Sequence, residues 1–479
     1  MRGGPVAIVV TDLGYGDSGK GAVADLLCHR LGIDTVYRHS GGPNSVHHVA
    51  TGAMDVAVSA FGSYLSPATR THLGADFALK PHNILLEAKQ IEQNTGYSPL
   101  PGLSVDPSAG IVLPYHAIVG QLREVVAGDR RRGSTGQGVG EAVLDARRDP
   151  ALALTVADCR DTRGLARKVA RIFDAKVADA EDIAARHPDP VAANLLRCLK
   201  EDPFGEDHLS SLGAVFEAII RIDDSQSYLA RAFANGRSVL CEGAHGTLID
   251  KDYGFPPYVT RRSTTALPTL SMLDSVPGEV RVLTVGVARA IAFRHGPGPF
   301  VTEDAEAGFH ERHNAENPWQ GKPRHGWFDA VAARYAFDCN RRPDALAMTM
   351  LDQLSWLREP RIALRYSLPD DAPDEADQFL ALDRDDPGAT RVTGIRLAER
   401  QSTRLTALLK ACRPVLTTLG ERGETGPSGD PLADPRVDAF LSHAESSEVF
   451  GQPIGILSRG PGRDDKIISD ACMRQFTGH

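Results

Sequence analysis

The stretch Leu13-Gly14-Tyr15-Gly16-Asp17-Ser18-Gly19-Lys20-Gly21 follows the apolar run PVAIVV (5–10) and leads into GAVADLLCHRLG (21–32), which has helical periodicity. Strand, glycine loop and helix in that order are how a parallel α/β sheet begins. Glycines at 14, 16, 19 and 21 let backbone N–H groups converge on phosphate oxygens, with the positive end of the helix behind them and Lys20 in reach of the outer phosphates. The loop nearly fits the phosphate-binding pattern G-x-x-x-x-G-K-[ST], but Gly21 stands where the Mg²⁺-holding hydroxyl belongs. Asp17 is the unusual member. A carboxylate inside a phosphate cradle repels its ligand unless a cation lies between them, so Asp17 is expected to ligate Mg²⁺ or to handle a proton.

Outward from the loop, a second short strand near 35–38 ends in the polar turn SGGPN (40–44), and the segment after it carries Asn44, His47 and His48. In an α/β sheet the loops at the carboxyl ends of the strands lie together, so these side chains are expected beside Asp17. Further apolar runs at 237–243, 281–289, 344–351, 361–368 and 454–460 read as strands. Residues 140–236 are helix-rich, and the acidic, proline-bearing stretch 367–389 reads as a surface insertion. No internal repeat is found. The expectation is one large α/β domain over 1–479, with a central, mostly parallel sheet flanked by helices, a P-loop-like nucleotide site and a helical subregion.

Composition narrows the partners. Of the 479 residues 42% are hydrophobic and 24% charged, ordinary for a globular protein. No run approaches the roughly 20 apolar residues of a membrane span, and the first apolar run is too short for a secretion signal. A cytoplasmic protein without a membrane partner is expected. The seven cysteines are scattered and never form C-x-x-C, which points to reduced thiols. A net charge of −9 argues against a nucleic-acid partner. Any polyanion it binds should be small and locally captured.

Eight ordered blocks carry a family resemblance. GYGDSGKG (14–21) with RHSGGPNSVHH (38–48) resembles the W-G-D-E-G-K-G and R-x-x-G-G-x-N-A-G-H pair of adenylosuccinate synthetase. GSTGQGVG (133–140), CEGAHGTLIDKDYGFPPYVTRRSTTA (241–266) and RHGPGPFVTE (294–303) resemble later motifs of that family, as do GKPRHGWFD (321–329), TMLDQL (349–354) and SRGPGR (458–463). The resemblance implies GTP-dependent ligation of L-aspartate to IMP through a 6-phosphoryl intermediate, with Mg²⁺, in a homodimer.

Residue by residue, the resemblance makes Asp17 the general base that removes the purine N1 proton and also a Mg²⁺ ligand, aided by the backbone carbonyl of Val46. His47 would stabilise the transferring phosphoryl group, and Lys20 with Gly16, Ser18, Gly19, Gly21 and His48 would hold GTP. Asp352 would read the guanine N–H groups, with Ser458, Gly460 and Pro461 walling that pocket. Asn44, Thr135, Thr260, position 245 and Lys322 would surround the acceptor nucleotide, Thr135 and Thr260 on its phosphate. Arg147 or Arg148 would supply the arginine that the family extends across its dimer interface. His295, Trp319, Gln320, Lys322 and Arg324 fall where the family binds the amino acid.

The departures cluster. His245 replaces a glutamine at the purine edge, His295 a valine, Met350 a lysine beside Asp352, and Arg261 with Arg262 a pair of small serines. Trp319-Gln320-Gly321-Lys322-Pro323-Arg324-His325 replaces T-T-G-R-x-R-R, losing two hydroxyls and at least one guanidinium; Arg and Lys grip carboxylates differently. Phosphoryl-transfer residues persist while the acceptor and amino-acid residues change. Three readings follow: an adenylosuccinate synthetase; a paralogue ligating aspartate or another amino acid to a related 6-oxopurine nucleotide in specialised nucleoside biosynthesis; or a GTP-binding regulator without ligase activity.

Overall fold

The computed structural model describes residues 4–52, 54–201, 212–213, 216, 221–310, 314–369, 375–383, 390–397, 402–421 and 429–478. Val6–Asp12 is buried along its whole length, as a strand covered on both faces must be. Each fully buried Val or Ile there stabilises by about 1.5–3 kcal/mol. It pairs in parallel with Arg281–Arg289 on one side and Val239–Glu242 on the other. Beyond the first of these come Ala345–Thr349, Ile456–Ser458 and Lys466–Ile468; beyond the second, Thr35–Gly41, Arg70–Leu79, Leu103–Val105 and Arg221–Ile222. Gly110–Ile111 also pairs with Arg70–Leu79. All these pairings are parallel except that of the edge strand Lys466–Ile468, so the expected α/β sheet is present.

The run 361–368 is a strand, as its sequence suggests. Arg361–Leu368 lies in a second, mixed sheet with Ile291–Arg294, Arg324–Asp329, Leu380–Asp383, Thr390–Ile395 and Arg413–Thr418. The acidic stretch 367–389 is described only in part. Phe379 and Leu380 are buried in the core that covers this sheet, so at least that part is structural; 370–374 and 384–389 lie outside the described residues. Within 140–236 the described helices are Val139–Arg148, Thr162–Arg186, Pro190–Lys200 and Ser225–Ala234. Among the described residues no helix is long and apolar enough to cross a membrane.

Parallel pairing fixes where the site must be. Val6–Asp12, Thr35–Gly41, Val239–Glu242, Arg281–Arg289 and Ala345–Thr349 all end on one edge, so the loops that follow them converge.

Candidate active site

Those loops line a cleft of about 1190 Å³, bordered by Asp17, Lys20, Asn44, His47, His245 and His295. Asp12, the last residue of the first strand, organises the glycine loop. Its carboxylate accepts from Gly14 N at 2.8 Å, Ser18 N at 3.1 Å, Ser18 Oγ at 2.9 Å and Lys20 Nζ at 2.7 Å. Lys20 therefore borders the cleft with its charge already partnered beneath the loop, and Ser18 is turned inward. Asp12 was not foreseen, although an acid closing a fully buried strand is itself a signal that partners must lie close.

The loop packs against the turn after Val239–Glu242. Gly246 has no room for a side chain, since a Cβ would stand 2.2 Å from Gly14 O and from Gly16 N. Thr247 Oγ1 donates to Asp12 O at 2.7 Å, fastening the turn to the strand. Gly21 is confined in the same way: a Cβ would lie 2.5 Å from His47 Cβ and 2.8 Å from Ser63 Oγ. The hydroxyl residue of a standard phosphate loop would collide with His47. Gly21→Ala should accordingly cost about 1–3 kcal/mol and lower turnover by displacing His47. Unfolding midpoint and kcat test this together, and a variant with both unchanged would show that the space is not needed.

Asp17 adopts a left-handed conformation, φ 54°. Arg289 Nη1 donates to its backbone oxygen at 2.9 Å, and its Oδ2 lies 3.2 Å from His295 Nε2, which also meets Asn314 Oδ1 at 3.2 Å. Burial pushes the carboxyl up, but the hydrogen bond and charge of His295, with Lys20 and Arg289, outweigh it and hold the pKa at about 2. The side chain is 37% exposed to the cleft, so water weakens this field without reversing it. His295, expected at the amino-acid pocket, thus touches the predicted base directly. Among the described residues no three His, Cys, Asp or Glu side chains are grouped to hold a metal unaided. Asp17 and Val46 both border the cleft.

His47 stands on Glu242, another residue not foreseen. Its Nδ1 is 2.5 Å from Glu242 Oε1, and Ser63 donates to the same carboxylate from N, at 3.1 Å, and from Oγ. Burial raises Glu242, yet Arg38 and His47 hold it down at about 2. His48 points away from this pair, to Asp55 at 3.1 Å.

His245 is also left-handed, φ 63°, a conformation in which His, Asn and Asp are enriched. Burial, then Lys20, lowers it to about 4, so the ring is neutral, and Asn44 Nδ2 lies 3.1 Å from its Nε2. Asn44 Oδ1 is buried without a partner among the described residues, an acceptor aimed at no protein group. Thr135 and Thr260 border the cleft. The two arginines expected to cross to a second chain are engaged within this one: Arg147 Nη2 donates to Arg261 O at 3.0 Å, and Arg148 pairs with Asp179 at 2.9 Å.

The residues expected at the amino-acid pocket differ in their surroundings. Gln320 borders the cleft and Trp319 stands over Gly136, both held by a tight turn in which Asn317 and Gly321 exchange backbone hydrogen bonds. Lys322 is exposed. Arg324, expected to grip the amino acid's carboxylate, forks instead onto Glu303 and gives its remaining Nη1 to Gly296 O and Gly298 O, each at 3.1 Å. Its partner Glu303 was not foreseen.

At the other end, Ala345–Thr349 and Ile456–Ser458 run side by side, which brings Asp352 near the Ser458–Pro461 turn. Ser458 Oγ donates to Gly460 O at 3.0 Å, and Lys466 Nζ, not anticipated, reaches Pro461 O at 3.1 Å and Gly462 O at 2.5 Å.

A family model described as adenylosuccinate synthetase matches residues 9–424. Adenylosuccinate synthetase of Mycobacterium marinum is 30% identical over 472 residues, covering 96% of this chain and 98% of the relative. That of Geobacter sp. strain M21 is 27% identical over 472 residues with the same coverage. Among solved structures, fully ligated adenylosuccinate synthetase from Plasmodium falciparum superposes with a TM-score of 0.72 at 18% identity, covering 97% of this chain and 99% of that one. Succinoaminodeoxyadenylate synthetase of cyanophage S-2L, bound to dGMP and to dATP as an energy donor, gives 0.56 at 16% identity, covering 99% of each chain. At such identities the structural likenesses speak to the fold alone.

Proposed function

This chain belongs to the adenylosuccinate synthetase family, whose members are GTP-dependent C–N ligases, and we propose that it joins L-aspartate to C6 of IMP. The observation that carries this reading is an ionised Asp17 sharing one cleft with His47, which is braced by Glu242. The Asp17 carboxylate takes the purine N1 proton, the 6-oxygen bonds to the γ-phosphorus as the bond to GDP breaks, and His47 donates to the moving phosphoryl group. The aspartate nitrogen then bonds to C6, and phosphate leaves with the former 6-oxygen. Mg²⁺, held by Asp17 and the Val46 carbonyl with the phosphates of GTP, would supply charge neutralisation. A homodimer in the cytoplasm completes the proposal.

Asp352 is the guanine-reading group in this scheme. Asp352→Asn should raise the KM for GTP by about 10- to 100-fold, the worth of a hydrogen bond to a charged group, with little change for IMP. Equal effects on both nucleotides would remove Asp352 from this role.

His245 in place of glutamine and Arg324 committed to Glu303 favour a second reading, in which the acceptor is a related 6-oxopurine nucleotide or the amino acid is not aspartate. Incubating the chain with GTP, Mg²⁺, a panel of such nucleotides and amino acids, and following product mass, separates the two. A regulator would hydrolyse GTP slowly and indifferently to acceptor, whereas a ligase releases phosphate only when both co-substrates are present.

A further inference from the structure

The end of the cleft near Thr135 and Thr260 holds more guanidinium charge than nearby carboxylates neutralise. Arg123 is taken by Glu141 at 3.1 Å, Arg148 by Asp179, and Arg262 donates to the carbonyls of Gly41 and Asp76. Arg261 is different. It borders the cleft half-buried, in the field of Arg132, Arg123 and Arg147, and the acid Glu141 that opposes them is already bound to Arg123. Among the described residues its guanidinium is in no ion pair. Its Nε lies 3.3 Å from where a Cβ on Gly140 would stand, so the side chain crosses the first turn of the helix Val139–Arg148, whose N-terminus adds positive field. Crowding like charges without an anion is unfavourable, and a bound phosphate relieves it.

We propose that Arg261, with Thr135 and Thr260, binds the phosphate of the acceptor nucleotide from within the same chain. The inference rests on the ligase reading above.

The test uses the full-length chain and Arg261→Ser, with Arg261→Lys as the conservative control and thermal melting to verify folding. Arg261→Ser should raise the KM for IMP by about 10- to 100-fold, the range for a charge-assisted contact, with the KM for GTP far less affected and Arg261→Lys recovering part of the loss. Inosine, which lacks the phosphate, should react equally with wild type and variant. Mixing Arg261→Ser with Asp17→Asn in equal amounts should restore no activity at low IMP, because each chain would carry its own defect. An unchanged KM for IMP, an equal loss with inosine, or regained activity in the mixture would overturn the proposal. Calorimetric binding of IMP keeps the two inferences apart. Weaker IMP binding in Arg261→Ser alongside a wild type that ligates nothing would sink the ligase reading and retain this contact, while a wild type that binds no 6-oxopurine nucleotide would sink both.

Discussion

Asp17→Asn is expected to lower kcat by about 10³-fold, within the range for loss of a general base, while the chain folds normally. Asparagine is the informative replacement because Asp17 sits at φ 54°, a region that Asn tolerates and most residues do not. His295 Nε2 can still donate to the amide oxygen, so the geometry of the loop survives and only charge and basicity are lost. A purine 6-oxygen attacks phosphorus poorly while N1 keeps its proton, and asparagine cannot accept that proton. The pKa of about 2 means the wild-type group is a carboxylate throughout the neutral range, the form a base requires. Phosphate release with IMP and aspartate at saturation measures the effect. A variant that retains more than about a tenth of wild-type kcat would remove Asp17 from proton transfer and leave it, at most, a cation ligand.

The strand that carries the phosphate loop, VAIVVTD, was legible because it is buried along its whole length and reads as an apolar run, and its neighbour RVLTVGVAR is buried from its third residue on. Arg70–Leu79 was not, since RTHLGADFAL mixes charge and glycine into a strand whose middle reaches solvent. Arg361–Leu368 was legible as a strand, but its apolar pattern does not say which neighbour it pairs with. Motif residues named their own loops, and parallel topology then did the assembling. Hidden from the sequence were the partners that fix protonation and aim: Asp12 and Glu242, each ending a buried strand, and Glu303, which takes Arg324. His47 and Glu242 lie 195 residues apart, and spacing carries no trace of such a pair.

Glu242 is where that hidden layer should matter most. It is fully buried, accepts from His47 and twice from Ser63, and lies 4.0 Å from Arg38, whose Nε and Nη2 are otherwise unpartnered among the described residues. Burial, opposed by Glu242, keeps His47 below its ordinary value, so the free chain holds a neutral ring with its proton on Nδ1. An arriving phosphoryl group adds negative charge on the far side of that ring. Together with Glu242 it favours the imidazolium, whose Nε2–H then donates to the charge being transferred. Glu242→Gln removes half of that field and offers one acceptor oxygen to donors that now share two. The expected loss in kcat is about 10²-fold, comparable to losing one donor at a developing charge, with GTP binding changed far less. Glu242→Ala goes further: it strands the buried Arg38 charge and should cost about 3–5 kcal/mol in unfolding free energy, read from the denaturant midpoint. The sign of the pH dependence follows from a folded-state pKa of about 2 against an ordinary 4.5. The stability Glu242 contributes is complete above the ordinary value and is lost as pH falls through the folded one, a loss the alanine variant should no longer show. A glutamine variant with wild-type kcat would mean that His47 acts without help from the carboxylate behind it, and the pair would then be only a strut between two strands.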